Sequence, residues 1–120
     1  KIRFEDELVV YFNIDENAEN FLIPIFLIHP LVENAIKHGM QTSPIPLKVL
    51  ISAEIKDEFL SISVVNTGKW IEKGVNNNDG RGLENIKKRL EIFSPNQHKF
   101  EVIKNDDSVK VNISLKRKIK

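Results

Sequence analysis

Asn34, Lys37 and His38 stand at i, i+3 and i+4 in the stretch Asn34-Ala35-Ile36-Lys37-His38-Gly39. On a helix that spacing projects all three from neighbouring positions of one face. An Asn side-chain oxygen is a neutral, hard ligand of the kind Mg²⁺ accepts. A Lys one turn on can neutralise phosphate charge, and an imidazole can donate to a phosphate oxygen. The bland alternative is a surface Glu33–Lys37 pair and a His38 lying against the end of a helix dipole. A second stretch, Gly80-Arg81-Gly82-Leu83-Glu84-Asn85-Ile86, reads as a Gly-x-Gly turn that opens another helix. Glycines let backbone approach a ligand closely, and free N–H groups at a helix start attract anions. Alone it is only a glycine-rich loop. The third patch is Asn66-Thr67-Gly68, where an amide could meet the polar edge of a base beside a residue with no side chain. Asn and Gly also end strands in ordinary turns. Taken together and in this order, the patches suggest a pocket for a metal-bound nucleotide, with one wall of side chains and one of backbone.

The elements that must position these residues follow from periodicity. Leu8, Val10, Phe12 and Ile14 alternate as a strand. Asp15–Asn20 is a polar connection, and Pro24 suits a helix start. Leu27, Leu31, Asn34/Ala35 and His38 then fall on one helical face, with Pro30 removing one backbone bond. Gly39 is expected just past the helix end. Thr42–Pro46 reads as a loop. Val49, Ile51, Ala53 and Ile55 form a second strand and Leu60, Ile62 and Val64 a third, a hairpin closed by Lys56-Asp57-Glu58. By the same alternation Asn66 continues the apolar stripe, so it must be hydrogen-bonded. Residues 69–79 have no period and read as a mobile loop. Leu83, Ile86, Leu90 and Phe93 give a second amphipathic helix, stopped by Pro95. Residues 100–104 and 109–115 are two further strands, with Asn105-Asp106-Asp107-Ser108 as their turn. Helices and strands mix without regular alternation, which predicts an antiparallel or mixed sheet with both helices on one face.

Bulk properties narrow the classes. A chain of 120 residues with 41% hydrophobic and 29% charged residues is one ordinary globular domain. The apolar run of residues 21–32 is too short to span a membrane and is broken by Pro24, His29 and Pro30. No signal-peptide pattern opens the chain, and a first residue Lys1 in place of Met leads us to expect a part of something longer. With no cysteine there is neither a disulfide nor a thiolate metal site. The net charge of +1 speaks against a nucleic-acid binder. Lys110, Lys116, Arg117, Lys118 and Lys120 crowd the last eleven residues with no acid among them, and read as a solvated strand end. Walker A, His-Arg-Asp and Asp-Phe-Gly patterns are absent, which removes P-loop and eukaryotic-type kinase readings. No metal-ligand spacing links His29, His38 and His98.

The three patches resemble the nucleotide-binding boxes of the GHKL superfamily of ATPases, in particular the bacterial sensor histidine kinases of the LytS type. Ile23-Pro24 followed by Pro30-Leu31-Val32-Glu33-Asn34-Ala35-Ile36-Lys37-His38-Gly39 is similar to that family's motif nearly without a break. Residues 80–90 match its Gly-x-Gly-Leu-x-Asn-x-x-x-Arg-Leu box. The resemblance covers the chain from Arg3 to the last strand. It implies a two-layer α/β sandwich over residues 1–120, binding ATP and Mg²⁺. Asn34 would hold the metal and phosphates, with Lys37 and His38 assisting catalysis. Gly80, Arg81, Gly82 and Leu83 would form the phosphate-facing turn. Residues 69–79 would be the lid over ATP. Asn66, where relatives usually carry Asp, would accept a bond from the adenine amino group, with Gly68 leaving room for the ring. Trp70 replaces the second glycine of that box. The resemblance further implies γ-phosphoryl transfer to a histidine on an upstream helical region absent from this chain. It also implies a downstream response regulator and a homodimeric, membrane-anchored parent with this domain in the cytoplasm. Three readings stay open: a kinase catalytic domain, a nucleotide-gated interaction module of the same fold, and a β-rich protein-binding domain with no nucleotide.

Overall fold

The structure, a computed structural model, describes residues 2–4, 7–15, 25–69 and 81–116, with backbone alone for 2–4, 25–27, 81–83 and 93. Among the described residues the chain forms six strands and two helices: β1 (Ile2–Phe4), β2 (Leu8–Ile14), α1 (Ile25–Thr42), β3 (Leu47–Lys56), β4 (Phe59–Thr67), α2 (Arg81–Phe93), β5 (His98–Lys104) and β6 (Ser108–Lys116). They build one sheet in the order β1-β2-β3-β4-β6-β5. Only the β2–β3 pair is parallel; the others are antiparallel. That is the expected outcome where α1 carries the chain from β2 to β3, because a parallel pair needs a crossover rather than a hairpin.

Side-chain parity decides the faces. Val49, Ile51 and Ala53 of β3, Leu60, Ile62 and Val64 of β4, and Val109, Val111, Ile113 and Leu115 of β6 are all buried. They alternate with exposed or half-buried neighbours, apart from the buried Ser63. Leu31 and Ala35 from α1 and Ile86 and Leu90 from α2 join all of these apolar residues except Val109 in one core. The spacings are i, i+4 on each helix, the period that lays an apolar stripe along one side. Helix α1 packs on α2, β3 and β4, and α2 on β5. The opposite face of the sheet carries Ser52, Ser61, Ser63 and Asn112 and has no described helix over it.

The turns follow local chemistry. Lys56 pairs with Phe59, so Asp57 and Glu58 make a two-residue hairpin loop. Asp57 takes a positive φ of 58°, which a short polar side chain tolerates. Helix α2 stops where Pro95 cannot continue it; Ser94 N donates to Leu90 O at 2.8 Å and Ser94 Oγ to Gln97 O at 3.1 Å.

One expectation needs correction. Helix α1 does not end at Gly39 but runs to Thr42, continuing through Pro30 on the way. Gly39 is a buried helical residue, and a Cβ there would collide with Leu47 Cδ1. Its glycine serves close packing onto β3, not a left-handed helix end. Strand β1, which no sequence pattern announced, is three residues too short to show a period and is a strand because it pairs with Leu8–Val10.

Candidate functional site

Helix geometry shows which way the polar side of α1 points. Gly39 rests on Leu47 of β3. Thr42, about 60° round the helix from it, accepts a bond from Lys69 N at the exit of β4. Going from Gly39 to Thr42 therefore moves from β3 towards β4. Asn34 and His38 lie further in the same sense, about 140° and 100° from Gly39 at about 100° per residue. Val32 and Ile36 lie on the other side, half-buried against the core. The half-buried Asn34 and His38, with the exposed Lys37 beyond them, thus border the side of α1 that looks over β4.

Asn66 closes the floor on that side. It is 4% exposed, in line with Leu60, Ile62 and Val64, as the alternation requires. It pairs across the sheet with Val49 and with Val109. Val49 is two residues along β3 from Leu47, which puts Asn66 beneath the last turns of α1. Its Nδ2 donates to Thr67 O at 2.8 Å. The carbonyl can only accept, so this bond fixes the amide's orientation and makes Oδ1 the acceptor end.

Helix geometry thus puts Asn34, Lys37 and His38 on the β4 side of α1, and Asn66 and Gly68 lie at the end of β4 that meets the last turn of that helix. The backbone of Arg81, Gly82 and Leu83 forms the first turn of α2, which packs on α1. Gly80, Trp70 and the expected lid beyond Lys69 lie outside the described residues. Among the described residues no group of three or more His, Asp or Glu could hold a metal ion. His29 pairs with Glu33 through Nδ1–Oε1 at 2.7 Å on the exposed side of α1, away from this floor.

Comparison with known proteins decides the class. No protein-family model matches the chain. It is 33% identical over 69 residues to sensor protein LytS of Staphylococcus epidermidis, a match of 58% of this chain and 12% of that protein. In fold it superposes on the catalytic domain of histidine kinase ThkA with a TM-score of 0.68 at 16% identity, covering 94% of this chain and 82% of that one. Full-length ShkA in complex with AMPPNP gives a TM-score of 0.60 at 14% identity, covering 94% and 26%. The chain is a LytS-type histidine kinase catalytic domain. It spans about an eighth of the length of the LytS sensor it matches. No described helix of this domain is long and apolar enough to cross a membrane.

Sequence reading missed how this LytS-type domain ties its two walls together. Thr42 Oγ1 donates to His38 O at 3.1 Å and accepts from Lys69 N at 2.9 Å. Beside it runs a one-way chain of hydroxyls. Lys48 N donates to Thr67 Oγ1 at 3.0 Å, and Ser43 Oγ donates to Pro44 O at 2.7 Å. The 2.6 Å contact between Thr67 and Ser43 must then have Thr67 as donor. Gly68 lies in the middle, with φ +120° and N–H bonded to Asp107 O at 2.9 Å. A Cβ there would strike Thr42 Oγ1. Gly68 therefore makes room for the helix end. Thr42 and Lys69 are too far apart in the chain for any local pattern to announce the contact.

Proposed function

We propose that this domain binds Mg-ATP in the groove between α1 and α2 and passes the γ-phosphoryl to a histidine on a helical region outside this chain. The observation that carries the reading is the polar border of α1, Asn34, Lys37 and His38, standing over an otherwise apolar floor that ends in the buried amide Asn66. The floor suits a base, with Asn66 Oδ1 accepting from an exocyclic amino group. The border suits phosphates: Lys37 contributes charge and His38 a donor. The AMPPNP in ShkA supports the same ligand class for a chain of this fold.

The donor set fits Mg²⁺ rather than a protein-caged metal. Asn34 Oδ1 offers one oxygen, and Mg²⁺ commonly completes its shell with phosphate oxygens and water. The bound ion supplies charge neutralisation at the transferring group. The domain's own residues position the nucleotide: Asn66 orients the base, Lys37 and His38 hold the phosphates, and Gly80 together with the first turn of α2, Arg81 to Leu83, would offer backbone N–H groups. The attacking imidazole nitrogen forms the new P–N bond as the bond to the bridging oxygen of ADP breaks. A response regulator would take the phosphoryl onward, and a homodimeric, membrane-anchored parent would hold the domain on its cytoplasmic side.

Asn34 is half-exposed and has no place in the core, so Asn34→Ala should leave unfolding free energy within about 0.5 kcal/mol. Mg-ATP binding by calorimetry should be lost. Unchanged affinity would refute the assignment. The second reading, a nucleotide-gated interaction module without phosphotransfer, is favoured by the neutral amide at position 66. Incubating the full-length protein with γ-labelled ATP separates the two, because acid-labile, base-stable phosphohistidine forms only in a kinase.

A further inference from the structure

We infer that Thr42 is a positioning residue for the proposed nucleotide site, acting through its hydroxyl as the node that fixes one wall against the other. The inference rests on the nucleotide reading above and goes beyond it. The phosphate-facing residues belong to α1 and the base-facing Asn66 belongs to β4. These are separate elements, and the core beneath them is built of aliphatic side chains that set no angle. Directional bonds at the mouth do. Thr42 Oγ1 donates to His38 O within the helix turn that carries His38. The same oxygen accepts from Lys69 N, three residues beyond Asn66 along the same chain. One proton and one lone pair are thus spent on the two walls, and the pairing cannot be reversed, since a carbonyl only accepts and an amide N–H only donates.

Three further details make this a built junction. Gly68 has no side chain where a Cβ would collide with Thr42 Oγ1. The Thr67–Ser43 hydroxyl contact at 2.6 Å ties the next residues of the same two segments. Gly68 N bonds Asp107 O, holding the strand exit from its far side. The strand end is therefore fixed on both sides, and Thr42 sets its distance from the helix.

The consequence is specific to a ligand that spans both walls. ATP touches the base wall and the phosphate wall at once, so its affinity depends on their spacing. Adenosine and Mg-tripolyphosphate each touch one wall and do not depend on it. Linking two weak contacts raises affinity only when the geometry allows both together.

The test compares wild type, Thr42→Val and Thr42→Ser by titration with Mg-ATP, adenosine and Mg-tripolyphosphate, followed by NMR. Thr42→Val keeps the shape and removes the hydroxyl. It should weaken Mg-ATP about tenfold and leave both fragments within about twofold. Thr42→Ser, which keeps the hydroxyl, should restore Mg-ATP binding. Mg-ATP affinity of Thr42→Val within twofold of wild type would overturn the inference. So would a parallel loss for all three ligands, the mark of a merely structural role. Should Thr42→Val fail to fold, Thr42→Cys, similar in size and a poor hydrogen-bonder, takes its place with the same criteria. A wild-type domain that binds no Mg-ATP would refute the nucleotide reading itself, a distinct result.

Discussion

Asn66 is a polar group placed where the core would otherwise continue. Its Nδ2 must keep a partner because it is 4% exposed, and Thr67 O is that partner at 2.8 Å. An Asp at this position would fit badly in this domain. A carboxylate cannot donate to Thr67 O and would set two acceptors face to face. Asn66→Asp should therefore destabilise by about 1–3 kcal/mol, the cost of stranding buried polar groups. Urea unfolding at neutral pH measures it, and a gain in stability would contradict the bonding described. The residue's burial was legible from strand parity; its tie to the next carbonyl was not, since no pattern of types reveals which end of an amide is engaged. The same holds for Thr42. Its hydroxyl bonds a residue 27 positions away, and threonine at a helix end is common enough to announce nothing.

At the scale of elements, strands β3, β4 and β6 and helix α2 were readable because each buries one side, and a buried side leaves a period in the sequence. Helix α1 was readable at its polar border for the same reason: Asn34, Lys37 and His38 at i, i+3 and i+4 share a side whatever they do. Its end was misread. Glycine is favoured both after a helix and where two backbones must approach, and Gly39 is of the second kind. Gly39→Ala separates the uses. Helix propensity alone would favour Ala by about 1 kcal/mol. The added Cβ meets Leu47, fully buried and unable to swing aside, and overpacking costs about 1–3 kcal/mol. The second term should win, lowering the unfolding midpoint in guanidinium. Leu47→Val in the same chain should recover part of the loss, because the two positions share one contact. Strand β1 escaped reading because it exists only through its pairing with β2. The Gly80 turn, the firmest sequence feature of the second wall, is described only from Arg81 onward.

At the scale of the whole molecule, the core is one layer of aliphatic side chains between a sheet and two helices, and the proposed site is the end of that layer where polar groups replace them. Most of the sheet is built from neighbours in sequence: β3 with β4 through two residues, β5 with β6 through a short turn. The exceptions are β4 with β6, reached by way of α2 and β5, and β2, whose Leu8 lies against Leu47 and whose partner is reached only by way of α1. Closing that long loop is entropically costly until α1 is in place. The parallel pairing is thus expected to form late, after the hairpins and after the transition state for folding. Val10 tests the order. It is buried, faces Val49 across the parallel pair and Ile2 on the other side. Val10→Ala should cost about 2 kcal/mol. If β2 docks late, stopped-flow kinetics will put nearly all of that cost on unfolding, about 30-fold faster, with folding changed by less than about twofold. A slowed folding limb would place β2 in the nucleus instead. On a ribosome the same topology has a temporal consequence: β2 is synthesised before β3, so its edge towards β3 waits unpaired until β3 has emerged.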